Sequence, residues 1–248
     1  KIKKKKSVLP VCFMILFFIA SSESLFIGTN SASFAWTVYA TVHYIIFMTL
    51  CFRGLLAGQK IYTHIFCVLV VAAFILLNLL VTQGPNTLTT YMHICTVIIN
   101  AYLIATQFSE ESYLETFEKA VFFIGCYSLI CYVIGLIAPS FVRSLPVIEN
   151  IAGNKYYNAG LTVFSDRGIT SGTLFRNTGP FREPGVYQVF LNMAFCIYLF
   201  IQKGNSIVRI SLYILFILST ISTTGIFAML LIFIIFILGS KVKRKKLI

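Results

Sequence analysis

The chain has 248 residues, of which 58% are hydrophobic and 11% charged, and its formal net charge is +12. Soluble domains run about 45–50% apolar and about 25% charged, so this composition argues against an ordinary water-soluble protein and for an integral membrane one. The basic excess does not imply a nucleic-acid partner, because most of it lies at the chain ends and in short segments between apolar runs, and no basic, aromatic-interleaved soluble domain is present.

A transmembrane helix needs about 20 apolar residues, since it rises about 1.5 Å per residue across a core of about 30 Å. The apolar runs predict an all-α, polytopic transmembrane helix bundle of eight spans, at 8–27, 35–52, 61–81, 91–108, 120–138, 184–202, 207–220 and 225–239. They form one integral membrane domain over 1–248, with one long external loop at 139–183. Five lysines precede the first span, as in a signal peptide, but 8–27 is longer than a signal peptide's apolar region and reads as a retained span. With the amino terminus on the cytoplasmic side, fifteen basic residues fall inside and five outside. That skew obeys the positive-inside rule and puts both ends of the chain in the cytoplasm.

Inside the spans, polar residues are few. Glu23 sits among serines near the outer end of the first span and either snorkels to the interface or lines a cavity. His43 and His64 fall in the second and third spans, and His93 lies near the external end of the fourth. His93 either faces a site or makes an interhelical hydrogen bond, and Asn78, Asn100 and Asn192 read as packing hydrogen bonds. The seven cysteines all lie in or beside apolar runs, without a CxxC pair or a Cys/His cluster. They read as small buried hydrophobes, with no metal site or disulfide framework expected.

The segment 109–119 is predicted as a short polar helix on the cytoplasmic surface. Ser109 suits the N-cap, Glu110 and Glu111 suit the first turn, and Glu115 and Lys119 stand at i, i+4. The external loop is neither low-complexity nor repetitive. Its aromatic residues, Phe141, Tyr156, Tyr157, Phe164, Phe175 and Phe181, supply enough surface to pack at the membrane face.

The loop ends in the most informative stretch of the chain, Arg176-Asn177-Thr178-Gly179-Pro180-Phe181-Arg182-Glu183-Pro184-Gly185-Val186-Tyr187. Gly179 permits a turn, a residue before proline is pushed to extended geometry, and proline suits a first helical turn. Glu183 is therefore expected to be extended and Pro184 to open the sixth span. A helix amino terminus favours an anion, and Arg176 and Arg182 add two forks shaped for phosphate oxygens. The strip suits a diphosphate; equally, an arginine paired with Glu183 or with lipid headgroups accounts for it. Near the carboxyl end, 207–239 is too long for one normal span and short for two. A single span would put the 241–246 basic cluster outside, so a tight hairpin is predicted with its turn at Ser222-Thr223-Thr224-Gly225.

Two motifs here resemble the O-antigen ligase and polymerase family of bacterial membrane proteins. One is the Arg-x-x-Gly-x-x-x-Glu-Pro-like segment from Arg176 to Pro184; the other is Thr220-Ile221-Ser222-Thr223-Thr224-Gly225, similar to the family's Thr-x-Ser-x-x-Gly break between spans. The resemblance covers roughly residues 90–240. It implies a glycosyltransferase of the bacterial cytoplasmic (inner) membrane, working at its outer face without a metal or other cofactor. The donor would be an oligosaccharide linked to undecaprenyl diphosphate, the acceptor a glycan hydroxyl, and the product surface polysaccharide such as O-antigen, lipopolysaccharide or capsule. Arg176, Arg182 and Glu183 would be catalytic, with Glu183 orienting an arginine more than acting as base, since flanking cations make a carboxylate a poorer base. Gly179, Tyr187, Ser222, Thr223 and His93 would line the substrate site. The lipid bilayer and other polysaccharide-assembly proteins would be partners.

The sequence also departs from the family. Ligases often carry arginine where Thr223 stands, which favours a polymerase-like or capsule-type member. Members usually have further spans and a second large external loop, so the chain is expected to be a piece of a longer protein. Two other functions fit the residues less fully. A transporter or lipid-linked glycan flippase would use Glu23 and the histidines, but no paired halves are visible. A non-catalytic scaffold would use the loop to dock another envelope protein.

Overall fold

The structure, a computed structural model, describes residues 108–149, 154–165, 175–181 and 183–245, with Ile45, Thr49, Ala73 and Tyr102 as isolated points. The first four predicted spans fall almost wholly outside the described residues, as do Glu23, His43, His64, His93 and Arg182. The chain divides into two compact units, Trp36–Tyr113 and the remainder. The architecture below belongs to the larger unit from Leu114 onward.

Helix α1 runs from Glu110 to Ile137. The predicted capping holds: Ser112 N donates to Ser109 Oγ at 3.3 Å, and Glu110 and Glu111 occupy the first turn. Lys119 Nζ lies 2.7 Å from Glu115 Oε1, as the i, i+4 spacing requires. The separate surface helix does not exist, however. The polar segment and the fifth span are one continuous 28-residue helix, about 42 Å long at 1.5 Å per residue. No glycine or proline interrupts the polar-to-apolar change at residue 119, so nothing stops the helix there. It ends where Pro139 opens the short helix α2, Pro139–Arg143.

The long loop after α2 then departs from an all-α fold. It forms a three-stranded antiparallel sheet of β1 (Val147–Glu149), β2 (Lys155–Asn158) and β3 (Val163–Ser165), in that order. Ile148 stands opposite Tyr156, and Tyr157 opposite Phe164. Between β2 and β3, Asn158 Oδ1 accepts from Gly160 N at 2.8 Å, and Gly160 takes φ +84°, a left-handed conformation that glycine adopts freely. The loop aromatics pack partly on the protein itself. Phe175 stacks between Tyr132 of α1 and Phe164 of β3, with centroids 5.4 and 5.3 Å away. Gly135 leaves room for that stack, since a Cβ there would lie 2.9 Å from the Phe175 ring. Tyr127 Oη donates to Ala159 O at 2.5 Å and ties the hairpin to the same helix.

Three more helices follow. Helix α3 spans Pro184–Cys196 and continues as a π-helical turn over Ile197–Ile201. Helix α4 spans Ile207–Ser219 and α5 spans Thr223–Lys245. The last three predicted spans thus coincide with helices to within a few residues at their amino ends, and the hairpin between the last two is present. Its turn is Thr220–Ser222, just before the predicted position, because Thr223 and the residues after it start α5. The core lies where α1, α3 and α4 meet, around Phe117, Ile124, Leu191, Phe195, Tyr213 and Phe216, all buried. Gly125 of α1 lets Phe216 of α4 press against the helix backbone; a Cβ would lie 2.6 Å from the ring.

Among the described residues, α1 and α3 with its π turn are long and apolar enough to cross a membrane. Their outer surfaces and those of α4 and α5 stay apolar, with Ile130, Ile137, Ile207, Phe227 and Ile235 exposed. Soluble monomers rarely present contiguous apolar faces of this kind, and helices lying against acyl chains regularly do.

Candidate functional site

The arginine strip folds as its residues dictate. Asn177, Thr178, Gly179, Pro180 and Phe181 are all buried, and Phe181 N donates to Thr178 O at 3.1 Å across a tight turn. Gly179 has φ +55°, and a Cβ there would lie 2.7 Å from the Tyr187 ring. Glycine is therefore required twice over, for backbone sign and for space. Glu183 is extended at φ −128°, ψ 134°, and Pro184 is the first residue of α3, as expected. The edge of the sheet supports the strip: Gly179 O accepts from Val163 N and Thr162 Oγ1, both at 3.1 Å, and Thr178 Oγ1 donates to Val163 O at 2.9 Å.

Arg176 reaches the second motif. Its Nε donates to Thr220 O and its Nη2 to Ile221 O, each at 3.1 Å. Those carbonyls end α4, where the last turn of a helix leaves acceptors unpaired. A guanidinium has five N–H groups, so three have no partner among the described residues, and the residue as a whole is exposed. Beside it α5 begins. Ser222 Oγ accepts from Gly225 N at 3.4 Å, and Thr223 and Thr224 are exposed on the first turn. The backbone is strained at this junction, with Ile221 at φ +48°, a region disfavoured for a β-branched residue. Two motifs that lie 44 residues apart in sequence thus meet through one side chain.

The other predicted residues divide. Glu183 is exposed, accepts no capping hydrogen bond through its side chain, and pairs with no cation among the described residues. Tyr187 is buried rather than open to a substrate. Its ring packs under Gly179 and against Phe181, and its hydroxyl lies 2.6 Å from Ser128 Oγ of α1. Ser222 is also buried and acts as the cap of α5. Arg176, Gly179, Tyr187, Ser222 and Thr223 are therefore brought into one neighbourhood, with the first two motifs in contact, while Arg182 and His93 lie outside the described residues.

Sequence reasoning missed what holds this neighbourhood together. Asn177 Nδ2 donates to Ser219 Oγ at 3.0 Å and to Ser128 Oγ at 3.3 Å. Its backbone N donates to Ser219 O at 2.9 Å, and its Oδ1 accepts from Gly179 N at 3.0 Å. With Tyr187 these groups form a buried neutral knot linking α1, the strip, α3 and α4. Lower on α3, Asn192 Nδ2 lies within hydrogen-bonding distance of Gln188 O, Gln188 Oε1 and Gly225 O, at 3.0, 3.0 and 3.2 Å. This bears out the packing role expected of Asn192. A polar residue in an apolar run, as Ser128 and Ser219 are, was the available signal.

A second polar cluster lies nearer the amino end of α1. Glu118 is fully buried, with Arg209 Nη2 2.7 Å from its carboxylate, Tyr213 Oη donating at 2.6 Å and Gln202 Nε2 at 3.3 Å. The Arg209 guanidinium lies over the Phe122 ring at 4.3 Å and the Tyr198 ring at 5.0 Å. Sequence reading placed Glu118 on a solvated surface, because its neighbours Glu115 and Lys119 are polar; the next turn of the same helix face is core.

Comparison with family models, curated proteins and solved structures finds no match.

Proposed function

We propose that the protein is a multi-pass protein of the bacterial cytoplasmic membrane, with both ends cytoplasmic, that transfers glycan at the outer face. The donor is an oligosaccharide on undecaprenyl diphosphate, and the activity is that of a surface-polysaccharide polymerase or ligase. The observation that carries this reading is Arg176, which joins the two motifs at the start of α5 and has three N–H groups without a partner among the described residues. In the reaction an acceptor hydroxyl attacks the anomeric carbon and forms the new glycosidic bond. The bond from that carbon to the diphosphate oxygen breaks, the lipid diphosphate leaves with the electron pair, and the hydroxyl proton passes to a base. Charge grows on the leaving diphosphate, so preorganised cations there stabilise the transition state more than the ground state. Arg176 supplies one such cation and Arg182, six residues on, a second. Glu183 serves to orient an arginine.

The test is replacement of Arg176 and Arg182 by alanine, singly, in the full-length protein of a cell that makes the polysaccharide. Loss of long surface chains is expected for each. Chains of unchanged length from correctly inserted variants would sink the assignment.

A further inference from the structure

The sequence motif marks Arg176 and Gly179 and treats position 177 as free. The structure treats it otherwise. Asn177 is 3% exposed, and its backbone N and every polar atom of its side chain are engaged. Its contacts go to three different places: Ser128 on α1, Ser219 at the end of α4, and Gly179 in its own strip. Ser219 is adjacent to Thr220, whose carbonyl receives Arg176 Nε. The Asn177 clamp therefore holds the two segments together one residue away from both Arg176 and Thr220, where the arginine crosses. Ser219 Oγ in turn donates to Phe216 O at 2.7 Å, and Ser128 Oγ meets Tyr187 Oη at 2.6 Å, so the hydroxyls that receive Asn177 are themselves held by helices α4, α1 and α3. An arginine on a long flexible side chain loses much rotamer freedom when it binds an anion. A rigid backbone beneath it reduces that loss, which is how preorganisation raises affinity.

We infer that Asn177 is a positioning residue for the anion site: the Asn177–Ser219 pair sets the Arg176 guanidinium against the carbonyls that end α4 and so aims its remaining N–H groups. The inference rests on the reading of Arg176 as a diphosphate ligand. It assigns Asn177 no contact with the anion. It also gives Ser219 and Ser128 a role in the site, although neither lies in the arginine strip.

The experiment uses the full-length protein in lipid nanodiscs with undecaprenyl diphosphate as the probe, and measures Kd and the melting temperature together. Arg176→Ala is expected to weaken binding about 10-fold or more, the scale of a lost charge-assisted contact. Asn177→Ala is expected to weaken it about as much, and the double variant no further than either alone, since residues acting through one another are not additive. Ser219→Ala keeps the backbone bond from Asn177 and is expected to give a smaller loss, about 3-fold; it decides the matter if Asn177→Ala does not fold. Wild-type affinity in folded Asn177→Ala or Ser219→Ala, beside a weakened Arg176→Ala, would overturn the positioning role and leave the anion site standing. Losses that multiply in the double variant would overturn it too. Wild-type affinity in Arg176→Ala would remove the reading beneath it. A purely structural Asn177 would lower the melting temperature and leave the affinity of the folded protein unchanged.

Discussion

Two buried polar clusters sit ten residues apart on α1, about 15 Å along its axis, and they are built from opposite materials. The one around Glu118 is charged: a fully buried carboxylate, an arginine boxed by two aromatic rings, and a tyrosine and a glutamine that complete the carboxylate's hydrogen bonds. The one around Asn177 is neutral: two serines, an amide and a phenol. The charged cluster joins α1 to α4 and to the end of α3, far from the arginine strip. The neutral cluster joins four segments directly beneath it. A buried ion pair is costly to assemble and more costly to break by halves, so it specifies one helix arrangement. Neutral groups place no net charge beneath Arg176, so they do not cancel its positive field.

This contrast can be broken by mutation, and the expected effects differ in size. Glu118→Ala strands Arg209 among aromatic rings and should destabilise the folded protein by about 3–5 kcal/mol, read by denaturant unfolding in detergent. Glu118→Gln keeps the shape and an acceptor for Tyr213 but removes the charge that Arg209 pairs with, so most of that loss should remain, and near-wild-type stability would contradict the ionic account. In the neutral cluster, Gly179→Ala forces a Cβ onto the Tyr187 ring at a positive φ and should cost about 1–3 kcal/mol. Ser128→Ala removes the partner of a buried tyrosine hydroxyl and should cost about 1–2 kcal/mol, with its effect on the melting temperature smaller than that of Gly179→Ala. The smallest change has the opposite sign. Lys203, after the π turn, is exposed at φ +53°. Lys203→Gly should stabilise by about 0.5–1 kcal/mol by relieving that conformation; a destabilised variant would mean that the strain is not real.

The sequence made the two regions unequally legible. Runs of apolar residues bounded by Pro184, Lys203 and Gly239 located α3, α4 and α5, because burial against lipid needs the length and little else. Pro184 and the residue before it fixed the geometry at the start of α3 for steric reasons local to two residues. The sheet in the long loop was not legible, since strands of three and four residues are too short for an alternating pattern to emerge. Glu118 was hidden for a different reason: its neighbours are charged, and only the packing of α4 against the same face makes its environment apolar. Asn177 sits inside a motif yet carries no signal of its own. Its importance comes from Ser128 and Ser219, 49 and 42 residues away, and no local rule connects them.

The account stands on Arg176 as the cation that meets the leaving diphosphate where α4 ends and α5 begins. The most direct test is single-turnover glycan transfer by the purified full-length protein, from an undecaprenyl-diphosphate-linked oligosaccharide, for the wild type and Arg176→Ala at matched melting temperature. The account predicts a rate lower by about 100-fold or more in the variant, as for removal of a preorganised charge stabiliser. An unchanged rate in a folded, inserted variant would contradict it and leave Arg176 as the cap of α4 and nothing more.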